Sequence, residues 1–198
     1  MDSINIMKIM FIGAGGHAKS CKHVVENATK KINILGYIEK NIKINKDGFN
    51  IIGVEKDLLK LRKKFKCENL LNAIGYVRSP KNRNKVYKNC KKLGFNFPKV
   101  ISKTATICEK VLIKDGTIIM NNVFVNSNTQ IEENCIINTG VILEHDVLIK
   151  KNCHIAPGAV INGGVVVGKD TFIGSGAIIK QNVNIPNNSF IQAGTFYN

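Results

Sequence analysis

The sequence predicts a short α/β domain with a parallel sheet over residues 1–99, followed by a parallel β-helix over residues 100–198. Two observations carry this division. An aliphatic register of period six runs unbroken through the second half, and the first half opens with a strand, a glycine-rich turn and a helix. A third observation, the placement of charge, separates the same two halves.

The run KIMFIG, residues 8–13, reads as a strand that ends in GAGGHAKS and passes into a helical stretch, CKHVVENATKK. A second strand, NILGYIEK, completes a βαβ unit, in which backbone N–H groups at the start of the helix can hold phosphate. Taken alone, Gly13-x-Gly15-x-x-Ala18 is only a partial dinucleotide fingerprint. A domain of this size is short for a two-halved nucleotide fold and leaves no room for a separate substrate domain, which argues against a nicotinamide-dependent enzyme. A third strand, NLLNAIG, ends at Gly75, and a basic loop, VRSPKNRNK, follows it. In that loop Arg78 and Arg83 are candidates to pair with phosphate, because guanidinium matches its geometry. Residues 84–94, NKVYKNCKKLG, read as a helix with a glycine stop.

From Ile101 to Ile191 every sixth residue is Ile, Val or Leu, and the residue four places after each is small or β-branched. Neither a helical period of 3.6 nor a long strand of period 2 gives this pattern. Short strands that turn a corner every six residues do give it, three hexads making a triangular coil of 18 residues. Coils stacked about 4.8 Å apart place residues 18 apart above one another. Cys135 and Cys153 are therefore expected as neighbouring small fillers inside the prism.

The chain has 198 residues, 44% of them hydrophobic and 22% charged, as in an ordinary folded domain. It holds no apolar run near the roughly 18 residues that span a bilayer, and the N-terminus lacks the pattern of a signal peptide. A cytoplasmic location is expected. The six cysteines are scattered without paired or metal-ligand spacing, so buried thiols are expected rather than a disulfide framework or a metal site. The formal net charge of +15 lies wholly in the first half: 22 Lys/Arg against 7 Asp/Glu in residues 1–100, and 7 against 7 thereafter. Such a block suits nucleic acid, a phosphorylated small ligand, or a merely lysine-rich surface.

The stretch INTGVILEHDVLIKKNCHIAPGAVINGGVVVGKDTFIGSGAIIKQNVNI, residues 137–185, together with GAGGHAKS and AIG, resembles the left-handed β-helix hexapeptide-repeat acyltransferases. The similarity is to the branch of nucleotide-amino-sugar N-acetyltransferases and sialic acid O-acetyltransferases, and it covers nearly the whole chain. It implies a Rossmann-like N-terminal domain for a nucleotide sugar, a left-handed β-helix, acetyl-CoA as acyl donor with no metal, and a homotrimer with active sites between subunits. It places Gly15, Gly16 and His17 at the diphosphate or sugar, and Ile74 and Gly75 at the nucleotide. Where the family carries an acidic pair after the second strand, this chain has Glu39 and Lys40, leaving Glu39 as the ligand for ribose or base. Tyr76 replaces the polar residue usual after the AIG glycine. Related chains continue with a Val-x-Gly-x-Pro-Ala-Lys segment over the CoA groove, whereas this sequence stops at GTFYN.

Acyl transfer from a thioester needs a base for the attacking group's proton and donors for the developing oxyanion. Histidine titrates near neutrality and suits the first task. His145 stands in a polar Glu-His-Asp triplet that interrupts a regular coil, as expected of an edge facing a groove, and it matches the family's catalytic histidine. Asp146 is the first candidate to orient it and Glu144 the second. Asn138 matches a family asparagine near the active site, and His154 a histidine near the thioester and cofactor. Gly163, one coil after His145, allows close approach of a ligand, and Ser175, Gly176 and Ala193 extend the expected cofactor groove.

The reading favoured by these residues is acetyl transfer to the amine of a nucleotide-activated amino sugar in surface glycan synthesis. Its alternatives are O-acetylation of a sialic-acid-like sugar and a non-catalytic nucleic-acid-binding or scaffold protein. No helix-turn-helix, zinc or RNA-binding aromatic pattern supports the last. A carbonic anhydrase on the same fold would need three metal-binding histidines, and the β-helix half holds two.

Overall fold

The computed structural model describes residues 6–28, 31–41 and 48–198. They divide into two compact units. The first reaches to Gly75 and resumes over Lys81–Pro98; the second consists of Tyr76–Pro80 and Lys99–Asn198. The loop after Gly75 thus belongs to the second unit, whereas the sequence reading places it in the first.

The first unit is a parallel four-stranded sheet. Its elements in chain order are β1 (Met7–Ile12), α1 (Gly16–Glu26), β2 (Ile32–Glu39), β3 (Ile51–Val54), a 3-10 turn (Glu55–Asp57), α2 (Leu58–Phe65), β4 (Leu70–Asn72) and α3 (Lys81–Lys92). The strands lie in the order β3-β2-β1-β4. Helix α1 begins inside the glycine motif rather than after it, with Gly15 at its N-cap, and buries Ala18, Cys21, Val24 and Val25 on one side. Two elements escape the sequence reading, β3 and α2, so the strand read as third is the fourth. The run IIGV is too short to announce a strand by period alone, and its Gly53 is shaped by a tertiary contact, lying directly against Leu61 of α2.

The second unit is a three-sided parallel β-helix of seventeen two-residue strands, β5 (Val100–Ile101) to β21 (Phe196–Tyr197). In each strand pair the partners are 18 residues apart, as Gln130 with Leu148 and Ile142 with Val160. The second residue of each strand from β5 to β20 is a member of the aliphatic register seen in the sequence. The small register fills the corners of the prism. Thr117, Cys135, Cys153 and Thr171 form one such column, each fully buried. Their polar groups are satisfied within the coils: Thr117 Oγ1 donates to the carbonyl of Glu132 at 2.7 Å and Cys153 Sγ to that of Gly168 at 3.0 Å. Burial, with the neighbouring Cys135 thiol, pushes the Cys153 thiol up. In the first unit burial pushes the thiols of Cys21 and Cys90 up to about 12.

Every sixth residue from Lys110 to Gly194 has a positive φ, and apart from Lys110 each is Gly, Asn or Asp. These are the corners. A left-handed backbone costs an ordinary residue about 1 kcal/mol or more, which Gly avoids and Asn and Asp offset by local hydrogen bonds. Several corner side chains also run up the stack: Asn134 Nδ2 donates to Asn152 Oδ1, and Asn152 Nδ2 to Asp170 Oδ1, both at 2.9 Å.

The three faces differ in what they present outward. One carries Ile118, Ile136, His154 and Phe172, all buried, with Phe190 at its end 47% exposed; we call it the buried face. The next carries Phe124, Ile142, Val160, Ile178 and Phe196, with Ile142 36%, Ile178 42% and Phe196 63% exposed. We call this the open apolar face. The third mixes apolar residues with Gln130 and Asn184.

Candidate functional site

In the first unit the residues around the glycine turn gather at the C-terminal ends of β1, β2 and β4, the edge where open α/β sheets bind ligands. Gly13 lies against Ile74, and Gly75 lies against His17, where a Cβ on Gly75 would be 3.1 Å from the His17 Cβ. A Cβ on Gly15 or Gly16 would meet nothing within 4 Å, so the start of α1 faces open space. Glu39 Oε1 accepts from the Ala14 N–H at 2.6 Å. One of its oxygens is therefore spent on bracing the glycine turn, a role the sequence did not indicate. Lys40 is exposed just beyond it.

Arg83 does not face phosphate. It is 1% exposed, and its guanidinium donates to the carbonyls of Asn72 at 2.6 Å and Ile74 at 2.9 Å, while Asn72 Nδ2 donates back to the Arg83 carbonyl. It holds the exit of β4 in place. Replacing it with methionine leaves two carbonyls without their donor, at about 1–3 kcal/mol for each group that stays unsatisfied. A lowered Tm in thermal denaturation checks this. Arg78 is exposed.

In the second unit the polar triplet turns the corner between the open apolar face and the third face. His145, 62% exposed on its side chain, places Nδ1 2.8 Å from Asp146 Oδ2. A carboxylate only accepts, so Nδ1 carries the proton and Nε2 presents its lone pair. Asp146 is itself a corner residue, with φ of 61°, and its other oxygen accepts from Asn128 Nδ2 at 3.2 Å. The two hydrogen bonds, from His145 first and Asn128 second, hold its carboxyl below the usual carboxylate range. Glu144 instead accepts from Asn126 Nδ2 at 2.7 Å. The sequence motif does not single out Asn128, although the coil period of 18 places it one coil before Asp146.

Gly163 lies against the imidazole. A Cβ there would stand 2.6 Å from both Cε1 and Nε2 of His145. The glycine is thus required by the ring's position, and its backbone shows no positive φ.

The remaining residues lie on a different edge. Asn138, Ser175, Gly176 and Ala193 occupy the corner between the buried face and the open apolar face, where Gly176 N donates to Pro157 O and Gly194 N to Ser175 O. Their side chains are short or absent, and a Cβ on Gly158 or Gly176 would meet nothing within 4 Å. Next to this edge His154 is only 7% exposed. The carbonyl of Tyr76 accepts from its Nδ1 at 2.7 Å, and its Nε2 faces the Asn138 amide at 3.1 Å. Tyr76 packs edge-on against the same ring and donates its hydroxyl to the carbonyl of Asn152 at 2.6 Å. His154 therefore ties residue 76 to Asn138. A single chain does not bring His145 together with Asn138 or Ser175, because the open apolar face separates the two edges.

Among the described residues no helix is long and apolar enough to cross a membrane, and no group of three or more His, Cys, Asp or Glu is placed to hold a metal ion.

Comparison with known proteins adds to this geometry. Residues 8–90 match the PglD N-terminal domain family, and residues 128–163 match the bacterial transferase hexapeptide (six repeats) family. No curated protein sequence matches the chain. Among solved structures, PerB from Caulobacter crescentus in complex with CoA and GDP-perosamine is similar at 27% identity, over 97% of this chain and 89% of that one, with a TM-score of 0.86. The acetyltransferase domain of PglB from Neisseria gonorrhoeae FA1090, in complex with acetyl coenzyme A, is similar at 26% identity over 96% and 90%, with a TM-score of 0.84. WeeI from Acinetobacter baumannii AYE, at 21% identity over 95% and 94%, with a TM-score of 0.72, shares the fold. The chain thus joins a PglD N-terminal domain to a bacterial transferase hexapeptide repeat, and with its short parallel-sheet domain and left-handed β-helix it is similar over nearly its whole length to solved sugar N-acetyltransferases.

Proposed function

We propose that the protein transfers an acetyl group from acetyl-CoA to the amino group of a nucleotide-activated amino sugar. The observation that carries this reading is the His145–Asp146 pair, seated against Gly163 at a coil edge beside an open apolar face. The solved relatives that hold CoA with GDP-perosamine, or acetyl coenzyme A, support the choice of donor and acceptor class.

The edge of Ser175, Gly176 and Ala193 fits a slender acyl-pantetheine chain, since these side chains are short or absent and the edge opens to space at Gly158 and Gly176. Acetyl-CoA supplies an acyl carbon activated as a thioester. His145 takes a proton from the attacking amine at Nε2, and the proton later leaves with the CoA thiol. Asp146 keeps the imidazole in the Nδ1–H form and stabilises the imidazolium, while Asn128 holds the carboxylate in place. His154, with both ring nitrogens engaged inside the chain, sets the position of Asn138. Gly15, Gly16, His17, Glu39, Ile74 and Gly75 receive the nucleotide sugar, with Lys40 at the rim. The cytoplasm is the expected compartment.

The separation of the two edges is the argument for a homotrimer. His145 and Gly163 border one side of the open apolar face, and Asn138, Ser175 and Ala193 border the other. A second copy laid against that face brings the base edge of one chain to the cofactor edge of the next, and a head-to-tail contact of this kind closes as a ring. Neither His145→Ala nor Ser175→Trp chains should then acetylate alone. Mixed and reassembled, they should recover about a quarter of the wild-type sites, since random assembly pairs the intact base edge with the intact cofactor edge that often. No recovery in mixed oligomers of the native size would place both edges in one subunit.

Asn128→Gly tests the support of the base. Glycine keeps the left-handed corner and removes the amide. The lost hydrogen bond should lower kcat about fivefold with little change in KM. The Asp146 carboxyl should titrate at a higher pH than in the wild type, since one of the two donors that depress it is gone. An NMR titration of that carboxyl reads the shift directly. Any stability that the ionised carboxylate contributes is present above the usual carboxylate range and is lost as pH falls through the depressed value. The variant should begin to lose it at a higher pH.

A direct assay of the proposal is acetyl-CoA consumption with a panel of amino-sugar nucleotides. Turnover with a hydroxyl acceptor and none with any amine would move the protein to O-acetylation.

A further inference from the structure

The charge excess of the first unit is organised by its helices. Helices α2 and α3 pack on one side of the sheet, where Leu58, Leu61, Val86 and Cys90 share a core cluster with Met10, Ile12 and Ile38. Arg62 of α2 also donates to the carbonyl of Leu93, just past α3, at 3.2 Å and lies over the Phe95 ring. The two helices therefore form one outer layer. Neither contains an acidic residue. On α3 the exposed Lys81, Lys85, Lys88 and Lys92 repeat at spacings of four, three and four, opposite the buried Arg83, Val86 and Cys90. On α2, Lys60 and Lys63 face outward, opposite Leu58 and Leu61.

Helix physics works against this stripe. Like charges four apart repel, and Lys81 sits in the first turn, at the positive end of the helix dipole. Lys92, in the last turn, offsets only part of this cost. Within that basic layer two leucines are exposed, Leu59 at 51% and Leu93 at 39%.

We infer that the α2–α3 face docks the protein on an anionic lipid bilayer. Lysines act as diffuse point charges against a charged surface, and the two exposed leucines can enter the interface. A nucleic-acid surface is less well matched. The layer's Tyr87 packs its ring on Phe97 at 4.6 Å instead of offering it to a base, and lysine lacks the fork with which arginine reads phosphates and bases. Each basic residue near an anionic surface raises partitioning about fivefold.

The test uses the full chain and vesicles of phosphatidylcholine, with and without phosphatidylglycerol, in co-sedimentation at low and high salt. Binding is expected only with phosphatidylglycerol and should weaken in salt. Lys60→Glu, Lys63→Glu, Lys85→Glu and Lys88→Glu together should lower partitioning at least about a hundredfold, while acetyl transfer in solution and Tm stay near wild type. The four Lys→Gln changes give a milder variant should the reversed one fold poorly. Equal partitioning into both vesicle types, or unchanged partitioning of the variants, overturns the inference. So does single-stranded RNA that binds the chain more tightly than the anionic vesicles.

Discussion

His145→Ala should lower kcat by a factor of about 10² to 10⁴, the usual contribution of a general base, while the KM for either substrate changes little. The imidazole is the proton acceptor at the reacting amine and makes its main interaction as the bond forms, so its loss falls on kcat. The residue is exposed at a coil edge and supports no core packing, and the variant should therefore keep the wild-type Tm. Steady-state kinetics with both substrates provide the check, the loss being read in kcat and not in KM. Full activity in His145→Ala would remove the mechanism, whatever the substrate.

Gly163→Ala should cost nearly as much, by a different route. The added Cβ would lie 2.6 Å from Nε2 and Cε1 of His145, well inside contact distance, so the ring must swing away and its hydrogen bond to Asp146 must stretch or break. A displacement of about 1 Å at a reacting group can cost about a hundredfold. The backbone at residue 163 suits any amino acid, which limits the damage to the ring. The Tm should hold, and alanine at both 145 and 163 should be no slower than His145→Ala alone, because residues acting through one group are not additive. An active Gly163→Ala enzyme would mean that the imidazole is used in another position.

The period of six makes the β-helix readable without any structure, since each hexad needs one large inward aliphatic and one small residue. The corner residues are equally regular, Gly, Asn or Asp at every sixth position after Lys110. The first unit is less legible. Its β1, α1, β2 and β4 show through apolar runs and a glycine turn, whereas β3 is too short to show by period and α2 buries Leu58 and Leu61 in a core shared with Met10, Ile12 and Ile38. Arg83 looks like a phosphate ligand because its type and loop suggest one. Only the fold shows that its guanidinium is occupied by the carbonyls of Asn72 and Ile74.

The site divides in the same way. Sequence alone named His145 with its acidic neighbours and, through the coil length of 18, Gly163 one coil on. It ranked Asp146 ahead of Glu144 as the ring's partner but gave no geometric reason for the order. That choice depends on which carboxylate a left-handed corner turns toward Nδ1 and which one Asn126 engages first. Nor could it separate His145 from Asn138, seven residues earlier, onto opposite edges of an open face. A repeat reports what each residue needs from its own coil. Which edges meet is decided by how coils close into a prism and by which of its faces remains apolar and uncovered.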